Sequence, residues 1–186
     1  MKLGACTAVL HDKPLPETLA ILRGMGLESA EINSGGSLPA PHLPIADIRA
    51  SAGAREDYLG QFTEAGMTLT ALNCNGNPLH PDPEVREKHA QDLRDAIELG
   101  ALLGGRDTMS RWPEDSSWDF VAVGRGHDVG FWAEFLAALE KVDPDMAVNI
   151  EHEDQELDQL EGLRYAAAPL LEASGRSEKS MTRGGR

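Results

Sequence analysis

Two kinds of hydrophobic block alternate along this chain. Short, nearly continuous apolar runs end abruptly in polar residues, and longer stretches carry apolar residues every three or four positions. The first run, 2–10 (KLGACTAVL), closes in His11, Asp12, Lys13 and Pro14 and predicts a buried strand with its loop. Pro16 and Glu17 open a helix in which Leu19, Leu22 and Met25 share a face; Gly24 and Gly26 end it. Residues 29–33 (SAEIN) resume as a second strand with Ile32 buried, which completes a βαβ unit. A loop containing Gly35, Gly36, Pro39, Pro41 and Pro44 follows. Ile45, Ile48, Tyr58, Leu59 and Phe62 then mark helical material with an interruption near Gly53. Residues 67–74 (MTLTALNC) predict a third strand, and 84–103 a helix that turns Val85, Leu93 and Ile97 toward the sheet. Three strand-then-helix modules at steady spacing predict a parallel sheet with right-handed crossovers.

The rhythm then breaks. A fourth apolar strand is due after Gly105, but 106–120 (RDTMSRWPEDSSWDF) is polar, contains Pro113 and two tryptophans, and predicts a loop. A brief extended piece is expected at 120–123. Val129, Trp132, Phe135, Leu136, Leu139 and Val142 form the tightest apolar stripe of the chain and predict a helix. The run 146–154 (MAVNIEHED) predicts a strand buried on both faces, and 156–173 a last helix that Pro169 should kink or shorten. The expected organisation is one domain over 1–173 and a disordered tail over 174–186, where SGRSEKSMTRGGR has nothing to bury.

Composition narrows the partners. The 186 residues carry a formal charge of -14, so no nucleic acid and no anionic membrane surface is expected as a partner. The apolar start is too short to span a bilayer and no targeting segment is read there. Cys6 and Cys74 are the only cysteines. Both fall in predicted strands and read as small buried hydrophobes, which makes a reducing cytoplasm the expected location.

Candidate chemistry gathers at strand ends. Glu151, His152, Glu153 and Asp154 follow the last strand, at the end where parallel α/β folds build their sites. Alternation sends Glu151 and Glu153 one way and His152 and Asp154 the other. Asn33, Asn73 and Asn75 also stand at strand ends, where an amide serves either a polyol or its own turn. His80 lies in the rigid NPLHP loop, within reach of a substrate hydroxyl. Arg125 and His127, in GRGHD, are flanked by glycines that let backbone approach a ligand. Arg125 suits a phosphate or carboxylate, or equally an ion pair with a neighbouring Asp or Glu. The sequence contains no GxGxxG opening a helix after a strand, no phosphate-binding GxxxxGK[ST], no GxSxG, no CxxC and no HExxH.

The stretches LNCNGNPLHPDP, WPEDSSWDFVAVGRGHD and MAVNIEHED together resemble the sugar phosphate isomerase/epimerase family, the xylose-isomerase-like TIM barrels. The resemblance runs through nearly all of the chain before the tail. It implies a divalent metal (Mn²⁺, Mg²⁺ or Zn²⁺) at the barrel mouth, metal-assisted proton transfer next to a carbonyl, and a small-molecule sugar or sugar phosphate as substrate. Of the family's usual metal set, a Glu, an Asp, a His and a final Glu, only the final Glu has a counterpart, at Glu151, which the resemblance makes both ligand and proton shuttle. A complete barrel needs about 250 residues. The expected fold is therefore α/β, an incomplete TIM-barrel-like (β/α) repeat with a parallel four-stranded sheet. In a closed barrel the last strand lies beside the first, so this half barrel should run in the order last, first, second, third. Its open edges predict a homo-oligomer in which two half barrels face each other.

Overall fold

In a computed structural model, residues 2–103, 108–109 and 121–175 are described. The strands are β1 (Lys2–Cys6), β2 (Ser29–Gly36), β3 (Thr68–Asn75), the two-residue β4 (Thr108–Met109) and β5 (Ala147–Ile150). All pair in parallel, in the order β4-β3-β2-β1-β5. Four main strands thus curl into half a barrel, with last beside first as the closed-barrel argument requires. The short β4 corrects the reading of 106–120 as loop throughout. Two residues pair with Leu72 and Asn73 of β3, and backbone pairing of that length needs no apolar pattern to announce it. The tryptophans and Pro113 of that stretch lie outside the described residues, as does the tail from 176 onward.

Helices fill the crossovers: α1 (Leu15–Gly24), α2 (Ile45–Ala50), α3 (Ala52–Glu64), α4 (Pro83–Leu102), α5 (Val129–Val142) and α6 (Gln159–Ala173). Side-chain oxygens at their N-termini set several starts. Ser51 accepts from the Ala54 amide, Asp82 from Glu84 and Val85, Asp128 from Phe131, and Asp158 from Glu161. The break between α2 and α3 falls at Ser51, two residues before Gly53, because extended Ser51 is the cap of α3. Pro169 does not stop α6, which continues to Ala173.

The first apolar run divides into strand and helix. Only Lys2–Cys6 is extended, and Thr7–Leu10 coils into a 3₁₀ turn that buries Leu10. The main core lies between the sheet and the helices. Leu3, Ala5, Ala30, Ile32, Leu72 and Ile150 on the strands meet Leu19, Leu22, Phe62, Leu99, Leu163 and Leu170 on the helices. Each fully buried leucine contributes roughly 1.5–3 kcal/mol by leaving water. On α5 the expected stripe is only partly covered: Leu136 is buried, Trp132 packs at the margin, and Val142 is 78% exposed.

Alternation along the strands then fixes the other, concave face. On this face Gly4 stands between Ser29 and Asn149, and Cys6 stands beside Glu31. Since Ala5 pairs with Ile150, Cys6 also lies beside Glu151 at the next step. Two rows therefore cross β2, β1 and β5: Ser29, Gly4, Asn149, and above them Glu31, Cys6, Glu151.

Candidate functional site

The lower row is closed by hydrogen bonds. Ser29 Oγ donates to Asn149 Oδ1 at 3.1 Å, passing over Gly4, where a Cβ would strike both side chains. Asn149 Nδ2 donates to Thr70 Oγ1 at 3.0 Å and to Glu31 Oε2 at 3.4 Å. Thr70 reaches this face because β3 holds one extra residue opposite Ala30 and Glu31, an irregularity of the pairing.

The upper row carries the charge. Glu151 is exposed, and its Oε1 accepts from Asn75 Nδ2 at 3.4 Å. Glu31 is half-buried. Burial raises its pKa above the usual carboxylate range and the nearby Glu151 raises it further, against hydrogen bonds from Asn73 and Asn149. Between them the Cys6 thiol is pushed up to about 12, first by burial and then by Glu31. It accepts from Asn73 Nδ2 at 4.0 Å. Neither glutamate forms an ion pair among the described residues. Beside this row a cleft of about 370 Å³ opens, lined by Cys6, Leu38, Glu151, Glu153 and Leu157 among others.

The chain beyond the last strand divides as alternation predicts. Glu151 stays on the concave side, whereas the His152 ring lies against Gly162 of α6 and Asp154 is buried. Asp154 accepts from the Ala122 amide at 2.9 Å, from Arg125 Nη1 at 2.8 Å and from the Glu156 amide at 2.9 Å. The Ala122 amide and the Arg125 guanidinium hold its pKa down at about 2. Arg125 also pairs with Glu156 at 2.5 Å, so both arms of its fork are engaged by carboxylates.

The remaining sequence candidates are dispersed. Asn33 is buried and donates to the carbonyls of Leu38 and Pro39, holding the loop after β2 over the strand ends. That loop is fixed from below by Gly36, whose φ of +85° and close approach to Asn75 exclude a side chain. His80 accepts from the Asp82 amide at 3.1 Å and shapes the entry to α4. His127 stacks on Phe131 with ring centroids 3.9 Å apart. Of the sequence candidates, Asn73, Asn75 and Glu151 meet at the upper row. Sequence reasoning missed Glu31 and Cys6 as members of the site. The available signal was a carboxylate inside a strand otherwise built of small and apolar residues, at the same face parity as Asn33.

No protein-family model matches the chain. It is similar to the uncharacterized protein YfiH of Bacillus subtilis (strain 168), at 36% identity over 104 residues, which are 56% of this chain and 33% of that protein. Among solved structures it is similar to a D-psicose 3-epimerase crystallised in the presence of D-fructose, at 14% identity and a TM-score of 0.40, covering 77% of this chain and 48% of that one. The chain thus spans a third of the curated relative and about half of the structural one. Among the described residues no helix is long and apolar enough to cross a membrane.

Proposed function

We propose that this protein is a sugar or sugar phosphate isomerase/epimerase-like protein that moves a proton next to a carbonyl, with Glu151 as the group that carries it. The observation behind this reading is the position of that carboxylate: at the C-terminal end of β5, exposed beside the cleft, and bound only by the Asn75 amide among the described residues. A carboxylate there is oriented but not neutralised. In the reaction, Glu151 takes the proton from the carbon beside a carbonyl, and the electron pair moves onto the carbonyl oxygen. Return of the proton by the same carboxylate to the former carbonyl carbon, while the proton of the neighbouring hydroxyl passes to the oxygen that became negative, gives the isomer; epimerisation takes a second acid, from solvent or another side chain, on the opposite face. Asn75 on β3 orients the carboxylate by donating to its Oε1.

A divalent metal would supply charge stabilisation to the oxygen as it becomes negative. The set of Glu, Asp, His and Glu implied by the resemblance does not match the residues present. Among the described residues no group of three or more His, Cys, Asp or Glu side chains is placed to hold a metal ion. The carbon-bound proton therefore passes through Glu151 alone.

The test is deuterium incorporation from D₂O into a panel of ketoses and aldoses, followed by NMR, with and without added Mn²⁺. Exchange at the carbon beside the carbonyl that disappears in Glu151→Gln supports the reading. Its absence across the panel favours the second reading, a catalytically inactive binding or self-associating module, which the incomplete donor set supports. Light scattering coupled to size exclusion then separates a self-associating chain from a monomer.

A further inference from the structure

Large apolar side chains stand exposed at both open ends of the half barrel. Among the described residues none is exposed on α1, α2 or α3, whereas the two end helices, α4 and α5, each carry some. α5 turns Leu136 inward and faces α6 with Ala133 and Ala137, across a small cleft that Ala173 also lines. Its far flank is left with Phe131, Phe135 and Val142 in a row, the two phenylalanines 44% and 40% exposed. α4 is held to α2 on one side by Arg49, which pairs with Asp95 and Glu98. Its opposite flank presents Ile97, 56% exposed, one turn from Leu93 and Ala101 on either side.

The sheet is open at the same two ends. Among the described residues β5 pairs with β1 alone and β4 with β3 alone, so each end presents unpaired backbone groups. A second copy turned by half a revolution about an axis along the strands fits both ends at once. Its β5 arrives beside β4 in the parallel sense of the rest of the sheet, and its α5, the helix that leads into β5, arrives beside α4. The two flanks match in chemistry. Both are apolar, and Arg94 stands at the rim of one and Glu134 at the rim of the other; Arg94 is engaged by Glu87 and Gln91, exposed groups of its own helix. With about 150–250 Å² on an aromatic side chain, the exposed parts of Phe131, Phe135, Val142 and Ile97 come to roughly 300 Å² per copy, over a third of the ~800 Å² that each partner gives to a standard-size interface.

We propose that two copies of this chain associate about a two-fold axis parallel to the strands, with the α5 flank of each seated on the α4 flank of the other and the partner's β4 beside β5. The surfaces in contact differ, but the arrangement closes on itself after one repeat and ends at a dimer. It also reaches the candidate site. Glu151 has β1 on one side and, among the described residues, no strand on the other; in the dimer the partner's β4 forms that missing side. The dimer stands apart from the question of whether Glu151 moves a proton.

The experiment is light scattering coupled to size exclusion on the full chain over a range of concentrations. A mass twice that of the chain is expected. Phe135→Lys and Ile97→Glu should each raise the dissociation constant of the dimer at least about tenfold, whereas Leu102→Ser, on the α2 side of α4, leaves it unchanged. The double variant Phe135→Lys, Ile97→Glu sets a lysine against the partner's glutamate at both contacts and should dimerise again, a gain that misfolding cannot produce. A wild-type monomer at every concentration overturns the proposal, and so do masses that grow without limit or a dimer indifferent to both single changes. A dimer broken by Phe135→Lys alone, as an α5-to-α5 contact would be, or a double variant that stays monomeric, overturns it as well. A monomer that exchanges deuterium through Glu151 removes the dimer and keeps the catalytic reading; a dimer without exchange does the reverse.

Discussion

Ser29 and Asn149 are hydrogen-bonded at 3.1 Å although a whole strand runs between them. The bond exists because the residue they bridge is Gly4, over which a Cβ would meet Ser29 Oγ, Asn149 Oδ1 and the Ser29 carbonyl. Gly4→Ala should therefore break the bond and push β2 from β1, costing about 1–3 kcal/mol. A lowered urea midpoint with unchanged slope checks it. Asn149→Ala combined with Gly4→Ala should recover little, since the Ser29 backbone remains in the way.

Glu31 should cost the protein stability at neutral pH. Burial and Glu151 raise its pKa in the folded state, so the fold binds its proton more tightly than the unfolded chain does. Stability is then lost as pH rises from the unfolded value, about 4.3, through the raised folded one. Glu31→Gln should melt higher than wild type at pH 7 and nearly equal to it at pH 4. A variant melting lower at pH 7 would show that the carboxylate is better satisfied than its surroundings indicate.

Asp154 has the opposite sign. Its folded pKa, about 2, lies below the unfolded value of about 3.9. The stability it supplies is complete above the unfolded value and disappears as pH falls toward the folded one. Asp154→Asn should lower the melting temperature at pH 7 and flatten the acid limb of the wild-type profile. Urea midpoints between pH 2 and 7 check both.

The thiols should be silent. Cys6 is pushed up to about 12 and Cys74 is raised by burial, so neither offers thiolate at pH 8. Ellman's reagent should find no reactive thiol in the native protein and two after unfolding. Rapid reaction of one in the native state would place Cys6 at an open surface.

Gly162 is a helix-interior glycine where Ala would ordinarily help by up to about 1 kcal/mol. Here the His152 ring occupies the space a Cβ needs. Gly162→Ala should therefore destabilise, and adding His152→Ala should turn the change favourable. Thermal melts of the single and double variants separate packing from propensity.

Much of this architecture is legible in the residues because backbone alternation and barrel closure are strict rules. The order last, first, second, third follows once 146–150 is read as a strand, and the parity of Glu151 against His152 and Asp154 needs only the two-residue repeat. Other features depend on partners far away in sequence. Glu31 looks like one acid among many until the register sets Cys6 and Glu151 beside it. Arg125 fits a phosphate or a carboxylate equally well in isolation; the fold supplies Asp154 and Glu156. The β4 pair leaves no pattern at all, since two residues that pair in backbone with β3 need no run of apolar side chains.

The pairing of β1 with β5 joins the two ends of the sheet's sequence. Cys6 is synthesised before Glu151, so the row that contains them cannot exist until the segment between them has been made. Closing contacts of such long separation is slow compared with forming the local βα modules. The carboxylate chemistry proposed for this protein thus depends on a long-range pairing four residues long and on no single βα module.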